Sequence, residues 1–278
     1  MFKVTCVAVL LASVAVAPHA QTDAAGAGSA VAAFDKILDT YVRDGYVYYK
    51  ALEGERAGLD RYVASFDVPA ATVAGWSKDA QKAFWINAYN ALVLKTAIDH
   101  YPIKGKSAAY PPNSMRQIPG AFDQTKHHVA GQSLTLDDIE KAAEAFGDAR
   151  VVFALGRGAI GSGRLKSEAY RADRLNDQLE VALKEFVTRP TCLKLDRVAG
   201  LVVASPLFSW RQDSFVAAYS QGGFGGWSGR SPIERAILNM ASPFFFASER
   251  EFAAANTFQM QFGTFDWRLN DLTGGMPN

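Results

Sequence analysis

The sequence predicts an α+β protein that is predominantly helical, with a small, mostly antiparallel sheet in a single compact domain. Long segments in which apolar residues recur at helical spacing occupy most of the chain, whereas strand-like segments are few and short. The regular alternation of strand and helix that a doubly wound α/β domain requires is missing from the pattern. Helices therefore carry most of the expected structure.

The predicted elements follow from local signals, chiefly caps and apolar spacing. Helices are expected over 30–43, 53–66, 78–101, 136–146 and 173–188, with another that begins at Ser231. Hairpins are expected over 127–134 and between 193–195 and 201–204, a buried strand over 151–155, and a last strand over 257–262. Ser77, Thr135 and Ser231 are the predicted helix caps, and Thr135 and Ser231 each have an acidic residue three positions later.

Composition limits the functional classes. With 49% hydrophobic and 12% aromatic residues, the chain can bury a core and does not belong with disordered proteins. Its net charge of +1, with no basic stripe along a face, argues against a nucleic-acid partner.

The N-terminus has the pattern of a secretory signal peptide. Lys3 precedes an apolar run over residues 4–17, which is too short to span a bilayer and ends in small residues. We expect residues 1–20 to be the signal peptide, with cleavage after Ala20, residues 21–30 a flexible leader, and 31–278 a single domain. A buried N-terminal helix is the alternative, but it would carry more polar residues. The mature protein is expected to be periplasmic or extracellular, with no stable membrane span.

Cysteine and histidine content argues against disulfide or metal chemistry. Removal of the signal peptide leaves Cys192 alone, and a lone cysteine flanked by apolar residues is more often a small buried residue than a nucleophile. His100, His127 and His128 show no metal-ligand spacing on a helix. We therefore expect neither a metal nor a cofactor.

Two asparagines do not fit simple packing. On a helical wheel of residues 78–101, Asn87 and Asn90 lie in the middle of the apolar arc and are neighbours at three-residue spacing. Buried amides must find partners or cost about 1–3 kcal/mol each. They either tie the helix to backbone groups of nearby loops or form a polar wall of a ligand cleft.

The glycine-rich loop at 156–164 is the second unusual feature. The glycine spacing in its sequence resembles the fingerprint of dinucleotide-binding proteins. That fingerprint stands at the start of a helix, however, and Ser162 and Gly163 would interrupt a helix here. Glycines allow close backbone approach, and amides that point one way form a site for anions. The loop is either a plain tight turn or a ligand site that includes Arg157, Gly158, Gly161 and Arg164.

Several segments together resemble the domain of unknown function 547 family. They are 46–49 (YVYY), 83–92 (AFWINAYNAL), 134–140 (LTLDDIE), 152–155 (VFAL), 168–170 (EAY), 208–215 (FSWRQDSF) and 265–270 (FDWRLN). The segment FWINAYN at 84–90 is the specific one, and the others occur in the expected order. The resemblance implies no established activity.

The resemblance also implies a departure from the usual pattern. Similar proteins carry a cysteine pair after the VFAL segment, where this chain has Arg157 and Ser162, and Gly163 and Arg164 replace the prolines that follow. Lys141 stands where a histidine is usual. A thiol-dependent role for this loop is therefore excluded.

Two functions remain open from the sequence. One is a non-catalytic binding module of the cell envelope, in which the 156–164 loop and the asparagine pair hold a small anionic or sugar-like ligand. The other is a hydrolase or acyl transferase with Ser162 as nucleophile, loop amides as oxyanion donors, and His127 or His128 as base.

Overall fold

The computed structural model describes residues 19–222 and 227–273, with side chains from residue 28 onward. Most of the predicted signal peptide, residues 1–18, lies outside the described residues. The first helix runs from His19 to Tyr41 and so includes residues 21–30, the predicted flexible leader. Within the described residues, no helix is long and apolar enough to cross a membrane.

The fold is α+β and dominated by helices, as predicted. The helices are α1 (His19–Tyr41), α2 (Tyr49–Gly54), α3 (Ala57–Ala64), α4 (Ala70–Ala74), α5 (Lys78–Asp99), α6 (Leu136–Glu144), α7 (Val151–Ala154), α8 (Leu175–Val187), α9 (Pro206–Trp210), α10 (Gln212–Tyr219), α11 (Pro232–Ala241) and α12 (Ala247–Ala255). The strands are β1 (Val42–Arg43), β2 (Tyr46–Val47), β3 (His127–Val129), β4 (Gln132–Leu134), β5 (Leu193–Asp196), β6 (Leu201–Ala204) and β7 (Gln259–Phe262).

Within residues 19–222 and 227–273, the strands form three small sheets. β1 and β2, and β3 and β4, are antiparallel hairpins, and the second of them confirms the hairpin predicted over 127–134. The third sheet has the order β5-β6-β7, with an antiparallel first pair and a parallel second pair. The predicted hairpin of β5 and β6 is therefore correct, and the sheets are mostly antiparallel.

The predicted helix starts are confirmed by their caps. The Ser77 hydroxyl accepts a hydrogen bond from the Ala80 amide at the start of α5. Thr135 with Asp138 and Ser231 with Glu234 form reciprocal capping boxes at α6 and α11. Each of these bonds satisfies a backbone amide that the first helical turn leaves without a partner.

The buried strand predicted over 151–155 is wrong, because these residues form the short helix α7. Asp148 starts the turn: its carbonyl accepts from the Val151 amide at 3.0 Å, and its carboxylate accepts from the Arg150 amide at 3.1 Å. Only Leu155 has extended backbone, with φ −93° and ψ 105°. A short apolar run fits a buried strand and a buried helix equally well, so periodicity could not decide.

In the part of the chain that the structure describes, buried apolar side chains form two hydrophobic clusters. One surrounds α5 and includes Val151 and Leu155, and the other packs α8, α11 and the three-stranded sheet around Phe153. Helix α7 therefore contributes side chains to both clusters. Cys192 is buried in the second cluster, and this burial raises the pKa of its thiol although nearby Arg189 opposes the shift. The prediction that Cys192 is a small buried residue is confirmed.

Candidate functional site

Asn87 and Asn90 are buried on α5, each with 2% of its surface exposed, and both bind loop backbone. Asn87 donates from Nδ2 to the Tyr170 carbonyl at 2.8 Å and accepts at Oδ1 from the Tyr170 amide at 2.9 Å. Asn90 donates to the Ala154 carbonyl at 2.9 Å and accepts from the Gly156 amide at 2.9 Å. Asn90 thus binds α5 to the start of the 156–164 loop, and Asn87 binds α5 to Tyr170, beyond the end of that loop.

Backbone amides of the 156–164 loop already have acceptors within the protein. The amide of Gly156 donates to Asn90, and that of Arg157 donates to the Ser162 hydroxyl at 3.2 Å. The amides of Ile160 and Gly161 donate to carbonyls of the 266–268 segment at 3.0 and 2.9 Å. The amides predicted to receive an anion are therefore used to hold the C-terminal segment against the loop.

Glycine is required at two points of this loop by its surroundings. A Cβ atom on Gly163 would lie 1.7 Å from the Phe153 carbonyl oxygen, a distance that no packing adjustment accommodates. Gly158 has a φ of +63°, in the left-handed region that glycine adopts without steric cost. The predicted close approach of backbone to backbone is present, and the approaching group is the chain itself.

Ser162 and the two candidate bases are not brought together. Ser162 is 1% exposed, and its hydroxyl accepts the Arg157 amide. His127 and His128 lie on β3, and burial lowers the pKa of His127, with Lys95 adding to the shift and Asp99 opposing it. Among the described residues, no hydrogen bond joins Ser162 to either histidine.

Arg157, the first arginine of the loop, belongs to a buried ionic network. Its guanidinium is 6% exposed, pairs with the Glu140 carboxylate, and also donates to the Leu155 carbonyl at 3.3 Å. Arg211 contacts the same Glu140 oxygen at 2.5 Å and binds Glu144 at 2.8 Å. We call these four residues, Glu140, Glu144, Arg157 and Arg211, the buried ionic network.

The carboxylates of this network titrate differently. Burial would raise the pKa of Glu140, but the guanidinium groups of Arg157 and Arg211 outweigh it and hold the pKa below its ordinary value of 4.5. Burial raises the pKa of Glu144, and the Glu140 charge adds to this although Arg211 opposes it. Glu140 is thus the negative centre that offsets two cations.

Arg164, the other arginine of the predicted site, lies against the β1–β2 hairpin. A Cβ atom on Gly45 would fall 2.8 Å from the Arg164 Cγ, so the side chain packs on that tight turn. Arg164 and Arg157 therefore point to different parts of the protein and do not form one cationic site.

Next to the loop lies an aromatic group that we call the tryptophan cluster. It consists of Tyr110, Phe122, Trp210, Phe265 and Trp267. The rings of Trp210 and Trp267 are 5.9 Å apart and nearly parallel, and Phe265 lies 4.5 Å from Trp267. Trp210 is 43% exposed, so part of this aromatic surface faces solvent.

Two charged side chains, Arg116 and Asp137, flank the cluster. The Arg116 guanidinium lies 4.6 Å from the Trp267 ring centre and 4.8 Å from that of Phe122, in cation–π geometry. The Asp137 amide donates to the Phe122 carbonyl at 2.9 Å. Burial raises the pKa of the Asp137 carboxyl and the Arg116 charge opposes this rise, so the two side chains are electrostatically coupled. Within the described part of the chain, neither side chain makes a hydrogen bond or a salt bridge.

The Asp137 carboxyl is also electrostatically unusual. Burial raises its pKa, the neighbouring Glu140 carboxylate raises it further, and Arg116 opposes both effects. A half-buried carboxyl without an internal partner, beside an exposed aromatic surface, is typical of a ligand-binding site.

The loop and the ionic network hold this surface in place. The amides of Ile160 and Gly161 bind the backbone on either side of Trp267, at Arg268 and Asp266. Arg211 follows Trp210 in the chain and is fixed by Glu140 and Glu144. The 156–164 loop is therefore joined by backbone hydrogen bonds to the segment that carries Trp267.

The sequence interpretation did not select Asp137, Glu140, Trp210 or Trp267. All four lie in the segments that carry the family resemblance, in LTLDDIE, FSWRQDSF and FDWRLN. The position of Glu140 also indicates that it is buried, because it lies four residues after Leu136, one turn along the apolar face of α6. An acid at such a position needs a buried cation.

One comparison with known proteins gave a match. Residues 73–187 match the model of a family described as protein of unknown function, DUF547. This region contains α5, the ionic partners Glu140 and Arg157, and the 156–164 loop, whereas Trp210 and Trp267 lie beyond it. Neither the curated proteins nor the solved structures contain a match to the chain. Over residues 73–187 the chain is therefore similar to the DUF547 family, which confirms the resemblance that the segment FWINAYN at 84–90 indicated.

Proposed function

We propose that this chain is a non-catalytic binding module that takes a sugar-like ligand on the tryptophan cluster. The observation that carries the proposal is the stacked pair of rings formed by Trp210, which is 43% exposed, and the half-buried Trp267. Arg116 and Asp137 flank this pair, and within the described residues neither side chain makes a hydrogen bond or a salt bridge. Exposed aromatic patches on soluble domains mark interaction sites more often than chance.

The chemistry of the cluster suits a sugar better than a strongly charged ligand. A sugar ring presents apolar C–H groups, which pack on an aromatic face, and hydroxyls, which both donate and accept hydrogen bonds. Arg116 offers donors and Asp137 offers acceptors at the border of the rings. Because their charges are opposite, they favour a neutral polar ligand over an anion.

In this proposal the residues selected from the sequence do not contact the ligand but fix the positions of the rings that do. Asn90 fixes the start of the 156–164 loop, the loop fixes the segment that carries Trp267, and Arg157 shares Glu140 with Arg211 beside Trp210. Ligand affinity would then depend on these buried residues through the position of the rings.

Replacement of Trp267 by alanine is expected to weaken oligosaccharide binding by about tenfold or more, equivalent to ~1.4 kcal/mol. The loss arises because this ring contacts every other ring of the cluster and Arg116. Titration of chitotetraose, cellotetraose and maltotetraose by calorimetry measures the effect. Phe246→Ala is the matched control, since Phe246 is 76% exposed and lies outside the cluster. Equal affinities of wild type, Trp267→Ala and Trp210→Ala would contradict the proposal, as would lack of binding to all three sugars.

The serine-dependent hydrolase is the alternative, and one labelling experiment separates it from the binding module. A fluorophosphonate probe reacts with an activated serine, so labelling that disappears in Ser162→Ala would support the hydrolase. A binding module leaves the probe unreacted. The burial of Ser162 argues for the second outcome, because a nucleophile must reach its substrate.

We also propose that the protein is exported and acts in the periplasm or outside the cell, as its first residues predict. Protein recovered from the exported fraction should lack roughly its first twenty residues, because signal peptidase removes a segment of this kind. Intact-mass spectrometry measures this directly. A cytoplasmic protein that retains residues 1–20 would contradict export.

A further inference from the structure

A groove lies between the first turns of α5 and the end of α6. It has a volume of about 560 Å³, within the range of small-molecule sites. Its lining consists of Lys78, Gln81, Lys82, Trp85, Ala142, Ala145 and Phe146. Four of these residues are on α5, where Lys78 and Lys82 are four positions apart, as are Gln81 and Trp85, so one helix face forms one wall. The groove shares no lining residue with the tryptophan cluster.

Lys82 supplies a partly buried cation to this groove. Its side chain is 13% exposed, and its ammonium lies 3.2 Å from the Asp148 carboxylate. Asp148 already accepts from the Arg150 amide, at 3.1 Å, and from two nitrogens of the Arg150 guanidinium, at 3.0 and 2.9 Å. Because an ammonium has three donors, Lys82 can bind a further anion while it keeps Asp148.

Lys78 is a second cation at the same groove. Its ammonium lies 6.0 Å from the Phe146 ring centre, and within the described residues it has no carboxylate partner within 4.0 Å. Asp79 is the other acid on this part of α5, and it lies 3.8 Å from Lys82. Lys78 and Lys82 are the charged residues among those that line the groove, so its charged lining is cationic.

The remaining walls are apolar and partly aromatic. Trp85 and Phe146 are half-buried, and the Trp85 ring is held edge-on against Phe84 at 5.3 Å. Ala142 on α6 and Ala145, which directly follows that helix, are small and line the groove as well. A flat apolar ligand fits between such walls, and an anionic group on it would reach the lysines.

We propose that this groove binds a small aromatic carboxylate, with its ring between Trp85 and Phe146 and its carboxylate on Lys82 and Lys78. The rings supply contact area, and the two ammonium groups select the anion over a neutral molecule of the same shape. This site is independent of the sugar-binding proposal, because the two share no residue.

Calorimetric titration of the full mature chain with naphthalene-2-carboxylate tests the site. Lys82→Gln and Lys78→Gln are each expected to weaken binding by about fivefold or more, since each removes a charged donor to the carboxylate. Lys126→Gln is the matched control: Lys126 pairs with Asp138 and does not line the groove, and its loss should change nothing. Naphthalen-2-ylmethanol, the neutral analogue, should bind about tenfold more weakly.

Ala145→Trp provides a variant that fills the groove and keeps both lysines, and it should abolish binding of the carboxylate. Thermal unfolding followed by circular dichroism shows whether each variant is folded, so that loss of binding through unfolding is distinguished from loss of the ligand contacts. The proposal is overturned if the carboxylate does not bind at millimolar concentration, if acid and alcohol bind equally, or if Trp267→Ala abolishes binding while both lysine variants bind normally.

Discussion

Replacement of Glu140 by alanine is expected to lower the free energy of unfolding by about 3–5 kcal/mol, the cost of leaving a buried charge without its partner. Glu140 is 4% exposed and binds both Arg157 and Arg211. Arg157 is buried with no other carboxylate within 4.0 Å in the described chain, so its charge would be uncompensated. Urea denaturation followed by circular dichroism measures the change.

Glu144→Ala is the matched control for this prediction. Glu144 lies one helical turn further along α6 and binds Arg211 alone, and Arg211 keeps Glu140 when Glu144 is removed. We expect a loss of about 1 kcal/mol or less, as for a partly exposed pair. If Glu140→Ala were no more destabilising than Glu144→Ala, the shared carboxylate would not be the centre of the network.

The lowered pKa of Glu140 predicts that the stability of the fold depends on pH. Its pKa is lowered by folding, so its contribution to stability is complete above its ordinary value of 4.5 and is lost as pH falls through the lower value of the folded state. Wild-type protein should therefore lose stability on acidification below about pH 4.5. The Glu140→Gln variant has no titratable group at this position, so its stability should fall less steeply below about pH 4.5.

Local chemistry explains why much of the helical framework could be predicted. A cap such as Ser77 or Thr135 acts within three residues of itself, so the sequence contains all the information that fixes the helix start. The burial of Asn87 and Asn90 was equally predictable, because their positions on the apolar arc of α5 depend only on helical periodicity. Residues 151–155 lacked such a signal, since five apolar residues carry no period.

The site could not be assembled in the same way. Whether the amides of Ile160 and Gly161 are free depends on a segment at 266–268, about a hundred residues later, and no local pattern reports that pairing. The convergence of Trp210 and Trp267 likewise depends on how the second half of the chain packs. Glycine and serine patterns near position 160 gave a plausible anion site because their long-range partners were unknown.

Replacement of Asn87 by leucine is expected to cost about 1–3 kcal/mol for each of the two backbone groups that it leaves unpaired. These are the amide and the carbonyl of Tyr170, which bind the Asn87 side chain at 2.9 and 2.8 Å in a buried environment. Leucine has a similar volume, so the change tests the hydrogen bonds more than the packing. Urea denaturation of the purified variant measures the loss.

Asn176→Leu is the matched control, because Asn176 is an exposed asparagine on α8 whose side chain accepts one solvent-exposed hydrogen bond, from Arg150 at 3.1 Å. Its loss should change stability by no more than about 0.5 kcal/mol. Asn87→Asp separates the two bonds: its carboxylate can still accept the Tyr170 amide, but it has no donor for the Tyr170 carbonyl. At a pH where the introduced aspartate is protonated, it can donate to the Tyr170 carbonyl, and we expect a stability between those of wild type and Asn87→Leu. At a pH where this side chain is ionised, it has no donor, and we expect the variant to be less stable than it is in its protonated form. If Asn87→Leu were as stable as wild type yet lost ligand binding, Asn87 would be a ligand contact, and the structural role argued from its backbone pairing would be wrong.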